Sequence, residues 1–274
     1  RLQVVLLIIV GWLSWKLVQR ASTRKVQAQL RLKAQRKKAQ RDEDMKRAIP
    51  CDVPEKMQAE ILSLTIPELV SRMKARKLTS VAVVSTYCVR ARAITKKINC
   101  VTEEFWTQAL ETAAELDAKA ARGEELGPLH GVPISVKDSI NVKGFDSTAG
   151  SAARCFDPSP ADATIVALLR KAGAIPFVHT NVSQCMMLPE SDNYVWGCSL
   201  NPWDNTRTPG GSSGGESALI GAGGSILGLG TDIGGSIRIP AHFAGVAGFK
   251  PTPFRVSCQN LKSARRVGME QSMA

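Results

Sequence analysis

Glycine pairs punctuate the run from Thr208 to Thr252. Gly210-Gly211 and Gly214-Gly215 bracket Ser212 and Ser213, and Gly234-Gly235 precede Ser236. Glycine admits backbone conformations closed to other residues, so consecutive N–H groups can converge on one anion. Stabilising an oxyanion requires that geometry. Ser213 with Glu216 fits the S-x-x-E capping box, opening a helix of small residues through Ala222. Ser225 to Thr231 reads as a strand packed closely on that helix, Asp232 to Ser236 as a turn, and Pro240 as the first turn of another helix. The segment therefore demands tight strand–helix packing around a glycine-lined turn.

The preceding sequence supplies a frame for it. Thr65 opens one helix, Thr79-Ser80 opens a second through Ile98, and Glu103 to Arg122 reads as a third, stopped at Gly123. In the run from Gly131 to Asp138, Val132, Ile134 and Val136 share one face of a strand, while Ser135 and Lys137 share the other. Asp162 is placed to cap a helix that stops at Gly173, and residues 174–180 read as a strand. Strand, helix and strand in that order predict a parallel βαβ unit. The expected fold class is α/β, with a mixed, largely parallel sheet between helices.

The N-terminal end differs. Leu2 to Trp15 is almost wholly apolar, and Leu17 and Val18 extend the run past Lys16. At about 17 residues this meets the lower limit for a membrane-spanning helix. Trp12 and Trp15 suit an interfacial belt, and Lys16 can snorkel. Residues 20–48 then carry eleven Lys/Arg against three acids. The positive-inside rule puts the rest of the chain in the cytosol. A secretory signal peptide fits worse, because no small-x-small cleavage site follows the apolar run closely and the strong charge lies on the wrong side. The expected organisation is a transmembrane or anchor helix over residues 1–19, a solvated basic helix over 20–49, and a globular domain over 50–274. The chain opens on Arg1 rather than Met, and residues 262–274 show no closing pattern, so an incomplete chain is expected.

Composition narrows the function. Most of the net charge of +12 belongs to residues 20–48, and aromatic residues make up 5% with none in the basic run, so a nucleic-acid partner is not expected. Seven widely spaced cysteines without a CxxC read as free thiols in a reducing compartment. The three histidines show no metal-ligand spacing, so neither a metal nor a cofactor is expected.

Three chemistries compete for the glycine-rich run. A phosphate loop needs Lys-Ser or Lys-Thr after its glycines, and neither is present. A nucleophile elbow matches G-x-S-x-G twice, but the turn-like residues 201–210 stand where its strand belongs. The third is a serine nucleophile activated by lysine. If helices cover both sheet faces, Lys137 is desolvated, its pKa falls, and its neutral amine serves as base. Read from the strand alone, Lys137 fits a plain surface lysine better.

Three motifs resolve the choice: G-V-P-I-S-V-K-D over 131–138, P-G-G-S-S-G-G-E over 209–216 and G-T-D-I-G-G-S-I-R-I-P over 230–240. Together they resemble the amidase signature family, from about Thr65 to Thr252. Residues 175–182 (IPFVHTNV) are similar to its fatty-acid amide hydrolase branch, which also carries an N-terminal membrane helix. The resemblance implies Ser236 as acyl-accepting nucleophile, Ser212 as proton relay through a cis Gly211–Ser212 peptide, and Lys137 as base. It implies oxyanion N–H groups from Ile233, Gly234, Gly235 and Ser236, and substrate contact from Met186. Asp232 and Arg238 would brace the turn. It further implies hydrolysis of lipid amides, an endoplasmic-reticulum-like membrane with the domain on its cytosolic side, and a homodimer. Met187 and Leu188 depart from the expected aromatic or polar neighbours. Family members are much longer, so this reads as the N-terminal part of the fold with the C-terminal half absent. Two alternatives stay open: an amidase for small or aminoacyl amides, and a non-catalytic membrane-bound remnant that binds lipids or a partner.

Overall fold

The computed structural model describes residues 2–262 and 272–273; the side chains of residues 2–11, 13, 14, 272 and 273 lie outside that description. Alternating apolar residues make Pro133–Lys137 (β1) a fully buried strand. Parallel to it runs Ile175–Thr180 (β2), and the connection contains the helix Thr164–Lys171 (α1), as the strand–helix–strand pattern predicts. The register sets Val136 opposite His179 and Lys137 opposite Thr180. Val101–Glu104 (β3) pairs antiparallel on the outer edge of β2, and Gly228–Leu229 (β4) pairs parallel on the outer edge of β1. The sheet is therefore mixed, with β1 inside it.

Helices cover both faces. Ser80–Ile98 (α2) starts at Thr79, whose Oγ1 accepts from the Ala82 N–H at 3.1 Å. With Trp106–Ala121 (α3) and Gly214–Gly221 (α4), it packs Val83, Val84, Ala113 and Leu219 against Ile175 and Phe177. On the other face Val132, Ile134 and Val136 meet Val166 of α1, together with Phe105 and Leu229. Burying one such aliphatic side chain contributes about 1.5–3 kcal/mol, so the alternation in β1 is a strong determinant of its orientation. Ser135 and Lys137 are consequently turned towards α4.

Upstream of α2, Glu55–Ser63 (α5) and Ile66–Lys74 (α6) complete the helical face. At the start of α6 the Thr65 N–H and hydroxyl donate to Glu68 Oε2 at 2.8 and 2.7 Å, tying off the helix end predicted from that threonine.

Four local expectations are corrected. Glu103 and Glu104, expected to open a helix, instead end strand β3, because β2 offers them a ladder, and the helix starts at Trp106. Asp162 does not cap α1; it accepts from the Lys143 N–H at 2.7 Å and pairs with Arg170 at 3.0 Å. The strand expected over 225–231 shortens to β4, since Ser225 Oγ is drawn 2.9 Å from Ser135 and the chain then turns out of the sheet. Thr231–Asp232 (β5) pairs instead with Ser272–Met273 (β6) in a separate two-stranded sheet.

The fourth concerns the N-terminus. Leu2–Asp44 (α7) is one unbroken helix. Its later turns are not solvated throughout: Ala34 is 3% and Lys37 6% exposed, and Ala34 packs with Cys155, Val195 and Trp196. Lys37 pairs with Asp146 at 2.7 Å and with Glu103. Among the described residues no helix is long and apolar enough to cross a membrane. Most side chains of the anchor expected over residues 1–19 lie outside the description.

Candidate active site

Lys137 ends β1 with no exposed surface. Its Nζ lies 2.8 Å from Ser212 Oγ, 2.8 Å from Thr231 Oγ1 and 3.4 Å from the Thr231 carbonyl. Burial pushes its pKa down to about 7, against the opposing pull of Glu216 and Asp232. The amine is thus divided between its charged and neutral forms near neutral pH. When neutral it has a lone pair for the Ser212 proton.

Ser212 lies just ahead of α4. It is buried, and the Gly211–Ser212 peptide is cis, as the resemblance implies. Gly211 has to be glycine: a Cβ there would stand 1.9 Å from the Glu190 carbonyl oxygen. Ser191 ties down the same stretch, donating to the Gly210 carbonyl at 3.1 Å and accepting from the Gly214 N–H at 2.9 Å. Ser213 does not cap α4 through its side chain. Its hydroxyl donates to the Thr231 carbonyl at 3.3 Å, and its N–H donates to the Ser236 carbonyl at 3.1 Å. That backbone bond holds the Ser236 turn beside Ser212.

The turn runs into the short helix Arg238–Ala244 (α8) and is built on Asp232. Arg238 grips the Asp232 carboxylate twice, Nε to Oδ2 at 3.0 Å and Nη2 to Oδ1 at 2.9 Å. The N–H groups of Gly235 and Ile237 add bonds of 2.8 and 3.1 Å. Burial alone would raise this carboxyl; those donors hold it well below the usual range. The expected bracing by Asp232 and Arg238 is present. One part of the expected oxyanion set is corrected: the Gly235 N–H is engaged by Asp232 and is not free for an outside anion. Ile233 and Gly234 are exposed at the tip, and nothing lies within 4 Å of where a Gly234 Cβ would be. Ser236 is half-buried.

Met186 lies half-buried in the short turn Gln184–Met186, bonded through its N–H to the Ser183 carbonyl at 2.9 Å. The structure gives it no bond to Lys137, Ser212 or Ser236; its loop reaches the site through Glu190 and Ser191.

Three further residues at the site have roles that their motifs do not announce. Thr231 is the second hydroxyl on Lys137, visible only as the residue before Asp232 in its motif. Glu216, read as a capping residue, instead accepts from Ser135 at 2.5 Å and Thr180 at 2.7 Å. Asp138, next to the lysine, accepts from the Thr148 N–H at 2.9 Å, from the Thr148 hydroxyl, and from Trp196 Nε1 at 3.2 Å. Burial pushes its carboxyl up to about 6, against His179 and Thr148. Among the described residues no group of His, Cys, Asp and Glu could hold a metal.

A buried lysine against a serine, beside a glycine turn bearing another, carries the three motifs in one place. The family model for amidases matches residues 82–273. The chain belongs to the amidase signature family. Amidase 1 of Gibberella moniliformis is 44% identical over 222 residues, 81% of this chain and 42% of that relative. Fatty-acid amide hydrolase 1 of Sus scrofa is 43% identical over 204 residues, 74% of this chain and 34% of the relative. A solved fatty acid amide hydrolase superposes with a TM-score of 0.75 at 35% identity, covering 81% of this chain and 40% of that one. This amidase-family chain therefore spans about two fifths of the length of the relatives it matches.

Proposed function

We propose that the chain carries the acylating centre of a serine hydrolase that cleaves amides. The observation behind this reading is the 2.8 Å approach of a dry Lys137 amine to Ser212. Ser236 Oγ attacks the amide carbonyl carbon. Its proton passes to Ser212 as the Ser212 proton passes to neutral Lys137. The oxygen that gains charge takes the N–H groups of Ile233, Gly234 and Ser236, since the Gly235 N–H is held by Asp232. Collapse breaks the C–N bond; Ser212 protonates the departing amine and is recharged by Lys137. Water then cleaves the Ser236 ester by the same route.

Lipid amides are the substrates we assign, at an endoplasmic-reticulum-like membrane with the domain on the cytosolic side. An apolar start followed by a basic run supports the tether, and the similarity to fatty-acid amide hydrolases supports the acyl chain. A homodimer completes this reading. The near-equal identity to Amidase 1 makes short amides the competing substrate. A fluorophosphonate probe tests the centre: labelling should fall on Ser236 and vanish in Ser236→Ala. Labelling that persists in that variant refutes it. Long-chain amides should outcompete acetamide for the probe, and the chain should sediment with membranes; the reverse results refute the lipid assignment.

A further inference from the structure

Glu216 sits on the third residue of α4, buried, with its carboxylate facing the sheet. Oε2 accepts from Ser135 of β1 at 2.5 Å, and Oε1 from Thr180 of β2 at 2.7 Å. Ser135 lies two residues before Lys137 on the same strand face, and Thr180 is the register partner of Lys137. Room for the carboxylate comes from β4: a Cβ on Gly228 would stand 2.1 Å from Oε2. The start of α4 is pressed just as closely on the sheet, since the Gly215 N–H donates to the Asn181 carbonyl at 3.0 Å.

We propose that Glu216 is a positioning residue for the Lys137–Ser212 pair, clasping the strand that carries the amine and its neighbour to the helix that succeeds the serine. This rests on the hydrolase reading above. The clasp fixes a distance that neither element fixes alone. Lys137 comes from β1 and Ser212 from a loop 75 residues away; Glu216 is bonded to β1 through Ser135 and lies four residues along the chain from Ser212. Its charge acts on the same amine. Burial pushes the carboxyl up, against the opposing pull of Ser135, Thr180, His179 and Lys137. The titratable groups around the acid and the amine are His179 of β2, the Cys100 thiol and Asp232. The ionised carboxylate raises the proton affinity of Lys137, so removing it lets the amine become neutral at lower pH.

The test is the pH dependence of fluorophosphonate labelling at Ser236 in this chain, with Ser236→Ala as the blank. Glu216→Gln keeps the shape and removes the charge. It should slow labelling roughly 10- to 100-fold through misplacement and move the acid limb of the rate to lower pH. A slower rate with an unmoved limb makes Glu216 ordinary scaffold and overturns the proposal. If Glu216→Gln does not fold by circular dichroism, Thr180→Val decides. It keeps side-chain shape, withdraws one hydroxyl from the carboxylate, and should move the limb the same way; no movement overturns the proposal. Wild type that never labels sinks the hydrolase reading and this inference together, whereas wild type that labels with both variants unshifted sinks only the inference.

Discussion

Replacing Lys137 with methionine keeps an unbranched apolar stem one atom shorter and deletes the amine. With the pKa pushed down to about 7, the neutral fraction is near a tenth at pH 6, half at pH 7 and almost complete at pH 9. Wild-type labelling of Ser236 should therefore climb about tenfold from pH 6 to pH 9 with one proton's slope. In Lys137→Met the climb should disappear and the rate at pH 8 should drop by about 10²–10⁴, the usual contribution of a positioned general base. Ser212 loses a partner at 2.8 Å, but Ser191 and Gly214 still hold its loop, so the variant should remain folded. Single-exponential labelling rates at half-unit pH intervals, with circular dichroism as the folding control, suffice. A wild-type profile flat across pH 6–9, or a variant that keeps the wild-type limb, would refute the assignment of the base.

The same substitution has a stability signature. The unfolded chain binds a proton at Lys137 up to about pH 10.4, whereas the folded chain releases it near 7. The cost of burying the charge is complete below pH 7 and is relieved as pH rises to about 10. Urea denaturation should show wild type gaining on the order of 5 kcal/mol relative to Lys137→Met across that window; no relative gain refutes the depressed pKa. Lys37→Met strands Glu103 and Asp146 and should cost about 3–5 kcal/mol at pH 7, measured by the same denaturation; an unchanged midpoint would mean those carboxylates are solvated. Trp196→Phe removes the one indole N–H shared by Asp138 and Thr148 and should cost about 1–3 kcal/mol, with a neutral result placing the indole N–H in water. Gly228→Ala drives a methyl onto Glu216 and should cost about 1–3 kcal/mol; a wild-type melt would disprove the close contact.

What the sequence displayed was periodicity. Val132, Ile134 and Val136 alternate because one face of β1 is apolar, and that placed Ser135 and Lys137 on the other face. Alternation does not say whether that other face meets solvent. Lys137 is dry because α4, contributed from far along the chain, lies over it. Short-range patterns failed where a distant partner prevailed over them. Glu216 has the spacing of a cap, yet the hydroxyls of Ser135 and Thr180 claim it. Asp162 stands where a cap belongs, yet Lys143 and Arg170 satisfy it. The motifs made Asp232 readable, but the engagement of the Gly235 N–H depends on how the turn closes around that carboxylate. The docking of Lys37 was hidden among ten other cations of its segment.

The strand that carries the amine is zipped along both edges, to β2 on one side and β4 on the other, while the Ser236 turn is pinned by a few bonds around Asp232 at a partly open surface. Local fluctuations draw on the least-buttressed elements first. On warming, the Ser236 hydroxyl will wander while the Lys137 amine stays sealed. Under the proposed mechanism, heat will then silence probe labelling in advance of melting, and a cooled sample will label again without having to refold.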